Sequence, residues 1–159
     1  MPCVAQPPKP GPEVQKLACY VGMWKFDGEI KAGLFFPSGK YSVTGSCDWF
    51  AGGFHVVCRS EGTGPAGTRT ELSILAYDAE AKTYTYHGIS SFGDSNSSKG
   101  SVVGNTWTYL WDSKAAGRLA RFRYTEVHVS PTVYTFKLEN AVAGGPWTVI
   151  EEGKAAKVK

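Results

Sequence analysis

The stretch CDWFAGGFHVVC, residues 47–58, decides the fold because it has the pattern of a β-hairpin. A glycine pair, Gly52-Gly53, lies at its centre, and such pairs are typical of tight turns between antiparallel strands. A turn centred there places Cys47 opposite Cys58. Since side chains alternate between the two faces of a strand, Trp49, Phe54 and Val56 share the face of the cysteines. The opposite face carries Asp48, Phe50, His55 and Arg59.

Two loop lengths fit this hairpin. A two-residue loop makes Cys47 and Cys58 a hydrogen-bonded pair, whereas a four-residue loop closed by Phe50 and His55 makes them a non-hydrogen-bonded pair with Cα atoms about 4.5 Å apart. A disulfide accepts that separation, so the sequence predicts a Cys47–Cys58 bridge. Two cysteines cannot complete a zinc site alone, and no histidine shares their face.

The remainder of the chain continues the pattern of short alternating segments broken by Gly, Asn, Asp and Pro, which is typical of an antiparallel barrel or sandwich. One short helix is predicted over residues 12–20. Ten strands are predicted after it, at residues 22–32, 40–50, 53–62, 69–77, 82–91, 97–103, 105–112, 118–129, 132–140 and 146–154. Hairpin connections favour an all-β, up-and-down barrel that closes on itself and leaves no free edge.

Composition limits the class of protein. A chain of 159 residues suits one domain, here residues 12–159 after an extended, proline-rich arm at residues 1–11. The net charge of +3 and the scattered basic residues argue against nucleic acid as a partner. No apolar run reaches the roughly 18 residues of a membrane span, and the start has no apolar signal-peptide segment. The compartment stays open between cytoplasmic and periplasmic or secreted.

The alternation predicts an interior rich in aromatic rings. The strand TWTYLWDS places Trp107, Tyr109 and Trp111 on one face, and LARFRYTEVH does the same for Phe122, Tyr124, Glu126 and His128. Such an interior is either a packed core or a ligand cavity, and about ten strands favour the cavity because barrels of about eight are just filled by side chains. The predicted ligand-binding residues are Trp49, Phe54, Tyr86, Trp107, Tyr109, Trp111, Phe122 and Tyr124.

Three residues are candidates for acid–base chemistry if the protein is an enzyme: His55, His128 and Glu126. His55 becomes the leading one if the face of Asp48 and His55 points inward. His87 cannot share a face with Tyr84 and Tyr86, and the sequence leaves the orientation of that strand open. No spacing supports a metal site, and no cofactor is predicted.

Several motifs in order resemble a bacterial lipocalin-like family known as domain of unknown function 1579. They are the G-x-W of Gly22 and Trp24 within VGMWKFDGE, then CDWFAGGFHVVCRSEG, SILAYDAEAKTYTYHGIS, GSVVGNTWTY, PTVYTFKLE and GGPWTVIEEGKA. The resemblance extends over residues 12–157. It implies a calycin-type β-barrel, but it implies no particular activity, since fold analogy does not choose a function.

The sequence therefore predicts that a small hydrophobic or aromatic ligand binds inside the barrel, with the protein acting as carrier or sensor. Glu126 and His128 are expected to orient a polar end of that ligand. One alternative is a cyclase, isomerase or hydrolase that uses a His/carboxylate/Tyr set in the same cavity. Another is a filled barrel with a structural or interaction role. The sequence does not decide the oligomeric state, a homodimer included.

Overall fold

The structure, a computed structural model, describes residues 8–33, 37–115 and 117–158, and within them ten strands follow one short helical segment. Most of the predicted arm at residues 1–11 lies outside these ranges, as does Cys3. The strands are β1 Gly22–Ile30, β2 Gly39–Trp49, β3 His55–Gly64, β4 Gly67–Asp78, β5 Thr83–Ser90, β6 Ser95–Val103, β7 Thr106–Ala115, β8 Arg118–Ser130, β9 Val133–Val142 and β10 Thr148–Lys157.

The ten strands form one closed antiparallel barrel. Each strand pairs with its neighbours in sequence, and β1 pairs with β10 to close the ring. Closure removes the free sheet edges that would otherwise pair with other chains. The predicted all-β, up-and-down barrel of about ten strands is confirmed.

The helical segment covers one end of the barrel, which we call the helix end. It consists of α1 (Pro12–Gln15) followed by a 3₁₀ helix over Lys16–Tyr20, where the sequence predicts one helix. The Tyr84 hydroxyl donates to the Glu13 carboxylate at 2.7 Å, and the Trp24 indole donates to the Tyr20 carbonyl, also at 2.7 Å. We call the opposite end the far end. No helix in the described ranges is long and apolar enough to cross a membrane.

The opening hairpin has the four-residue loop. The Phe50 amide donates to the His55 carbonyl at 2.8 Å, and Cys47 is the direct partner of Cys58. Their Cα atoms are 4.0 Å apart, and a disulfide joins them. The cysteines lie on the inner face of the wall with Val56, while His55 is exposed on the outer face.

Buried residues form three clusters in the barrel. The largest lies at the helix end and includes Leu17, Tyr20, Val56, Leu75, Tyr84, Trp107 and Tyr109. A second joins β1, β9 and β10 through Trp24, Tyr134, Phe136 and Ala155. A third lies toward the far end and includes Ala120, Phe122 and Ile150.

Candidate functional site

The aromatic residues of β7 and β8 that the sequence places inside the barrel do lie on its inner face. Trp107, Tyr109 and Phe122 are buried, whereas Trp49, Tyr86, Trp111 and Tyr124 also point inward but are only partly buried. Tyr84 and Tyr86 of β5 face inward, and His87 is exposed, which decides the orientation that the sequence leaves open. Phe54 lies in the β2–β3 turn and is partly buried.

Several inward rings lie over glycines of the barrel wall. Tyr41 is the cross-strand partner of Gly28, and a β-carbon built on Gly28 would lie 2.5 Å from the Tyr41 hydroxyl. Phe136 lies over its partner Gly153 in the same way, at 2.5 Å from the built β-carbon. Glycine in a strand often marks such a close approach. These rings therefore cover the wall instead of extending to the barrel axis.

Tyr124 lies where two buried clusters meet. It packs against the large cluster at the helix end and also against the cluster of Trp24 and Tyr134. It points inward from β8, yet it is only partly buried. Tyr124 is thus an inward ring at the junction of the two clusters that neither cluster buries fully.

Near the helix end lies a second group of inward side chains, and its functional groups are of the kinds that exchange protons. The Tyr20 hydroxyl donates to Glu126 Oε2 at 2.7 Å, and His128 Nε2 lies 3.3 Å from the same oxygen. The Tyr109 hydroxyl lies 3.3 Å from that of Tyr20. The His128 ring stacks on Tyr134 with ring centres 4.7 Å apart. The structure thus brings together Glu126 and His128, two of the three predicted acid–base residues.

Burial decides which of these groups can titrate. Burial, followed by the charge of Glu126, raises the pKa of Tyr20 and that of Tyr109 well above the ordinary value of a phenol. The same two causes raise the pKa of the Cys19 thiol to about 12. The two phenols therefore remain neutral donors near pH 7, and Cys19 remains a protonated thiol.

Toward the far end, two further tyrosines donate to inward carboxylates. The Tyr41 hydroxyl donates to Glu151, and the Tyr86 hydroxyl donates to Glu71. Arg69 Nη2 contacts Glu71 Oε2 at 3.1 Å and Asp94 Oδ2 at 2.8 Å. Two carboxylates thus already neutralise this guanidinium.

The pKa of the inward Glu151 carboxylate is raised. Burial raises its pKa above the ordinary value, while the hydrogen bond from Tyr41 opposes that rise. The nearby charge of Arg69 also lowers the pKa, and that of Glu71 raises it. Of these causes burial is the largest, so ionisation of Glu151 carries a cost in the folded state.

Sequence reasoning missed five of these residues: Tyr20, Tyr41, Arg69, Glu71 and Glu151. Arg69 and Glu71 lie six and four positions before the inward Leu75 on β4, so the alternation of side chains places them on the same inner face and could have identified them. Alternation likewise places Tyr41 on the same face of β2 as Val43 and Cys47. Glu151 follows an irregularity in the β9–β10 register between Val149 and Glu151, which alternation cannot locate. Tyr20 reaches the interior from the 3₁₀ helix, outside any strand pattern.

The three histidines do not converge. His55 and His87 are exposed on the outer wall, and His87 Nδ1 lies 2.8 Å from the Ser97 hydroxyl oxygen. Only His128 points inward. In residues 8–33, 37–115 and 117–158, no three His, Cys, Asp or Glu side chains are placed to hold a metal ion.

The comparisons with known proteins identify a family and a fold. The model of a family described as protein of unknown function (DUF1579) matches residues 9–150. The crystal structure of Rv2717c from M. tuberculosis is similar, with a TM-score of 0.62 and 11% identity over 94% of this chain and 99% of that chain. A DUF3598-family protein from Nostoc punctiforme has a TM-score of only 0.27 at 6% identity, over 94% of this chain and 100% of that one. No curated protein matches the chain.

Proposed function

The chain belongs to the family of proteins of unknown function DUF1579, and from its own barrel we propose that it binds a small hydrophobic or aromatic molecule in the interior, as a carrier or sensor. The proposed site is a hydrophobic pocket of the calycin type. Its wall is formed by the inward aromatic residues of β5, β7 and β8, with Tyr124 at the junction of two buried clusters.

The observation that carries this proposal is the pairing of rings with glycines. A barrel of ten strands is wider than the eight-stranded kind that side chains can just fill. The Tyr41 and Phe136 rings lie over Gly28 and Gly153, so these two rings cover the wall of the barrel. An interior lined by aromatic rings favours an apolar or aromatic occupant.

The charges inside the barrel indicate the polarity of the occupant. Three inward carboxylates, those of Glu71, Glu126 and Glu151, outnumber the inward cations Arg69 and Lys157. Arg69 is already paired with Glu71 and Asp94, and the Lys157 ammonium lies over the Trp24 ring at 5.1 Å. Arg69 and Lys157 thus already have partners, and the surplus of inward carboxylates favours an uncharged or cationic molecule over a fatty acid.

Titration with N-phenyl-1-naphthylamine, a neutral aromatic probe that fluoresces in apolar surroundings, tests the proposal. We expect saturable binding to the wild-type chain. Ser60 points inward from β3 and is partly buried, so Ser60→Trp would fill interior space and weaken probe binding. Arg59→Trp, at the exposed neighbouring position, is the matched control and should leave binding unchanged. Absence of saturable binding, or equal loss in both variants, would contradict an interior site.

A barrel enzyme is the second candidate, and the arrangement of Glu126, His128 and Tyr20 favours it. A carboxylate 3.3 Å from an imidazole nitrogen can orient that ring for proton transfer, as isomerases and cyclases require. Mass spectrometry of small molecules co-purified with the wild-type chain and with His128→Gln separates the two candidates. Different molecules in the two samples would support the enzyme, and the same unchanged molecule would support the carrier.

A further inference from the structure

Asn140 is a buried polar side chain on the inner face of β9. It follows the alternation of the inward Phe136 and Leu138, and it is only 5% exposed. Its cross-strand partner on β8 is the buried Phe122. Within residues 8–33, 37–115 and 117–158, no hydrogen bond reaches the Asn140 amide group. A buried amide without a partner is unfavourable, so Asn140 lowers the stability of the ligand-free chain.

The Asn140 amide is still open to a further contact. In the described part of the chain, every side-chain oxygen or nitrogen that is completely buried has a hydrogen-bond partner. The Asn140 amide has none, so the residues packed around it do not seal its atoms. This end of the barrel is otherwise apolar, with the cluster of Ala120, Phe122 and Ile150 and, packed against it, Leu138. A polar group among apolar side chains is the feature that orients a ligand in a binding site.

Glu151 on β10 supplies a second acceptor on the same inner face. It is the cross-strand partner of Leu138, which lies two positions before Asn140 on β9. Asn140 and Glu151 are therefore diagonal neighbours, and such neighbours lie roughly 7–8 Å apart. One small group between the two side chains can contact both.

The Glu151 carboxylate has capacity for another donor. It accepts one hydrogen bond, from the Tyr41 hydroxyl, whereas a carboxylate has about four acceptor positions. Arg69, the nearby cation, forms its ion pairs with Glu71 and Asp94 instead. Glu151 thus lacks an ion pair among the residues that the structure describes, and a cation beside it would offset the cost of its burial.

We propose that Asn140 and Glu151 form a subsite for a primary ammonium group, so that the ligand of the barrel is an amine with an apolar body. This inference rests on the proposed interior site. An ammonium has three N–H donors; one reaches the Glu151 carboxylate and another the Asn140 carbonyl oxygen. Leu138 is the cross-strand partner of both Glu151 and Tyr124, so apolar surface for the body of the ligand begins beside the carboxylate.

Other head groups suit this pair of acceptors less well. A carboxylate would be repelled by Glu151, and a hydroxyl brings one donor and no charge. A quaternary ammonium brings charge but has no N–H to donate. The pair therefore selects for N–H donors as well as for positive charge.

Isothermal titration calorimetry with octylamine, octyltrimethylammonium and octanol tests the subsite. We expect octylamine to bind about tenfold or more tightly than the other two, since hydrogen bonds between charged groups and polar partners are strong. Asn140→Leu should remove most of this advantage and leave octanol binding unchanged, because leucine keeps the branched shape without the amide. Thr135→Leu, at an exposed outward position of the same strand, is the matched control and should retain the advantage.

The stability of Asn140→Leu separates a binding role from a structural one. Removal of an unpartnered buried amide should raise Tm by about 2–6 °C. An amide needed only for the fold would lower Tm when replaced. Weaker binding of octylamine together with a higher Tm is therefore the result expected of a subsite.

The possible failures are distinguishable. Saturable octanol binding with no advantage for octylamine, or an advantage that Asn140→Leu does not reduce, would overturn the subsite and leave an interior site standing. Absence of binding by all three molecules would overturn both. An advantage lost in Glu126→Gln but kept in Asn140→Leu and Glu151→Gln would place the amine near the helix end and contradict this inference.

If Asn140→Leu does not fold, nuclear magnetic resonance of the wild-type chain gives the answer. The side-chain amide signals of Asn140 should shift when octylamine is added and should shift much less with octanol. Equal shifts with both molecules, or no shift with octylamine, would overturn the subsite.

Discussion

Gly100 on β6 and Tyr109 on β7 are direct cross-strand partners, and a β-carbon built on Gly100 would lie 2.6 Å from two atoms of the Tyr109 ring. Glycine lacks the β-carbon that would otherwise meet the ring at this position. The same relationship joins Gly28 to Tyr41 and Gly153 to Phe136. Inward glycines thus determine where these aromatic rings lie in the interior.

Gly100→Ala should destabilise the fold. The added methyl group meets the Tyr109 ring, and overpacking of this kind costs about 1–3 kcal/mol. The free energy of unfolding in urea measures the loss. In the Tyr109→Leu background the same change should cost less, because the ring is gone.

Gly33→Ala is the control for this prediction. A β-carbon on Gly33 would have only the Lys31 carbonyl oxygen within 4 Å, at 3.9 Å, so this change should be nearly neutral. Equal costs for Gly100→Ala with and without Tyr109 would mean that the ring does not depend on the glycine.

Removal of the disulfide should lower stability without changing the fold. Cys47 and Cys58 are 11 positions apart, and a bridge closing such a loop contributes about 2–3 kcal/mol. For a chain of this size, the double change Cys47→Ser/Cys58→Ser should lower Tm by about 4–12 °C. Reductant should lower the Tm of the wild-type chain equally and leave the double variant unaffected. Cys19→Ser, which removes a free thiol, should retain the response to reductant; a loss of that response would show that Cys19 takes part in the bridge.

Glu151→Gln should stabilise the protein at neutral pH. Because burial raises the pKa of Glu151, the folded chain holds this proton more tightly than the unfolded chain does. The stability that Glu151 contributes is complete below the unfolded pKa and decreases as the pH rises through the folded pKa. Glutamine cannot ionise, so the variant should exceed the wild-type chain in free energy of unfolding at neutral pH and match it near about pH 4. Glu152→Gln, at an exposed site, is the control, and an advantage of Glu151→Gln confined to low pH would contradict this assignment.

The affinity for a ligand should depend on its charge, because the inward charged groups are mostly carboxylates. Dodecylamine and dodecanol should displace N-phenyl-1-naphthylamine better than dodecanoate does, by about tenfold or more, since a buried carboxylate without a cationic partner is unfavourable. Glu151→Gln should reduce the advantage of the amine, while the outward Glu152→Gln should not. Tighter binding of dodecanoate than of dodecylamine would contradict this view of the interior.

Much of the fold follows from local sequence rules. The alternation of side chains predicts ten strands, and the Gly52-Gly53 turn predicts the register that sets Cys47 opposite Cys58. Most observed strand ends differ from the predicted ones by one to three residues, because pairing with the neighbouring strands, and not side-chain alternation, sets where each strand ends. The helical segment at residues 12–20 is where the sequence predicts it, and its second half is the 3₁₀ helix that brings Tyr20 inward.

Less of the candidate site than of the fold could be predicted from the sequence. Glu126 and His128 share a strand face, so their proximity is readable from alternation alone. The pairs Tyr41–Glu151 and Tyr20–Glu126 join residues more than a hundred positions apart. Such pairs depend on closure of the barrel and on strand tilt, which no local pattern contains. The orientation of β5 could not be predicted from its sequence either, because burial of Ile89 and burial of the two tyrosines require opposite orientations of the strand. The complete barrel shows that the tyrosines face inward.

The most direct test of the central claim, that the barrel interior holds an apolar molecule, is a set of nuclear Overhauser effects between bound N-phenyl-1-naphthylamine and the protein. We predict contacts to ring protons of inward residues, above all Tyr124, Tyr86 and Trp111. Contacts restricted to outward side chains such as Ile74 and Ile89 would place the molecule on the outer wall and contradict an interior binding site.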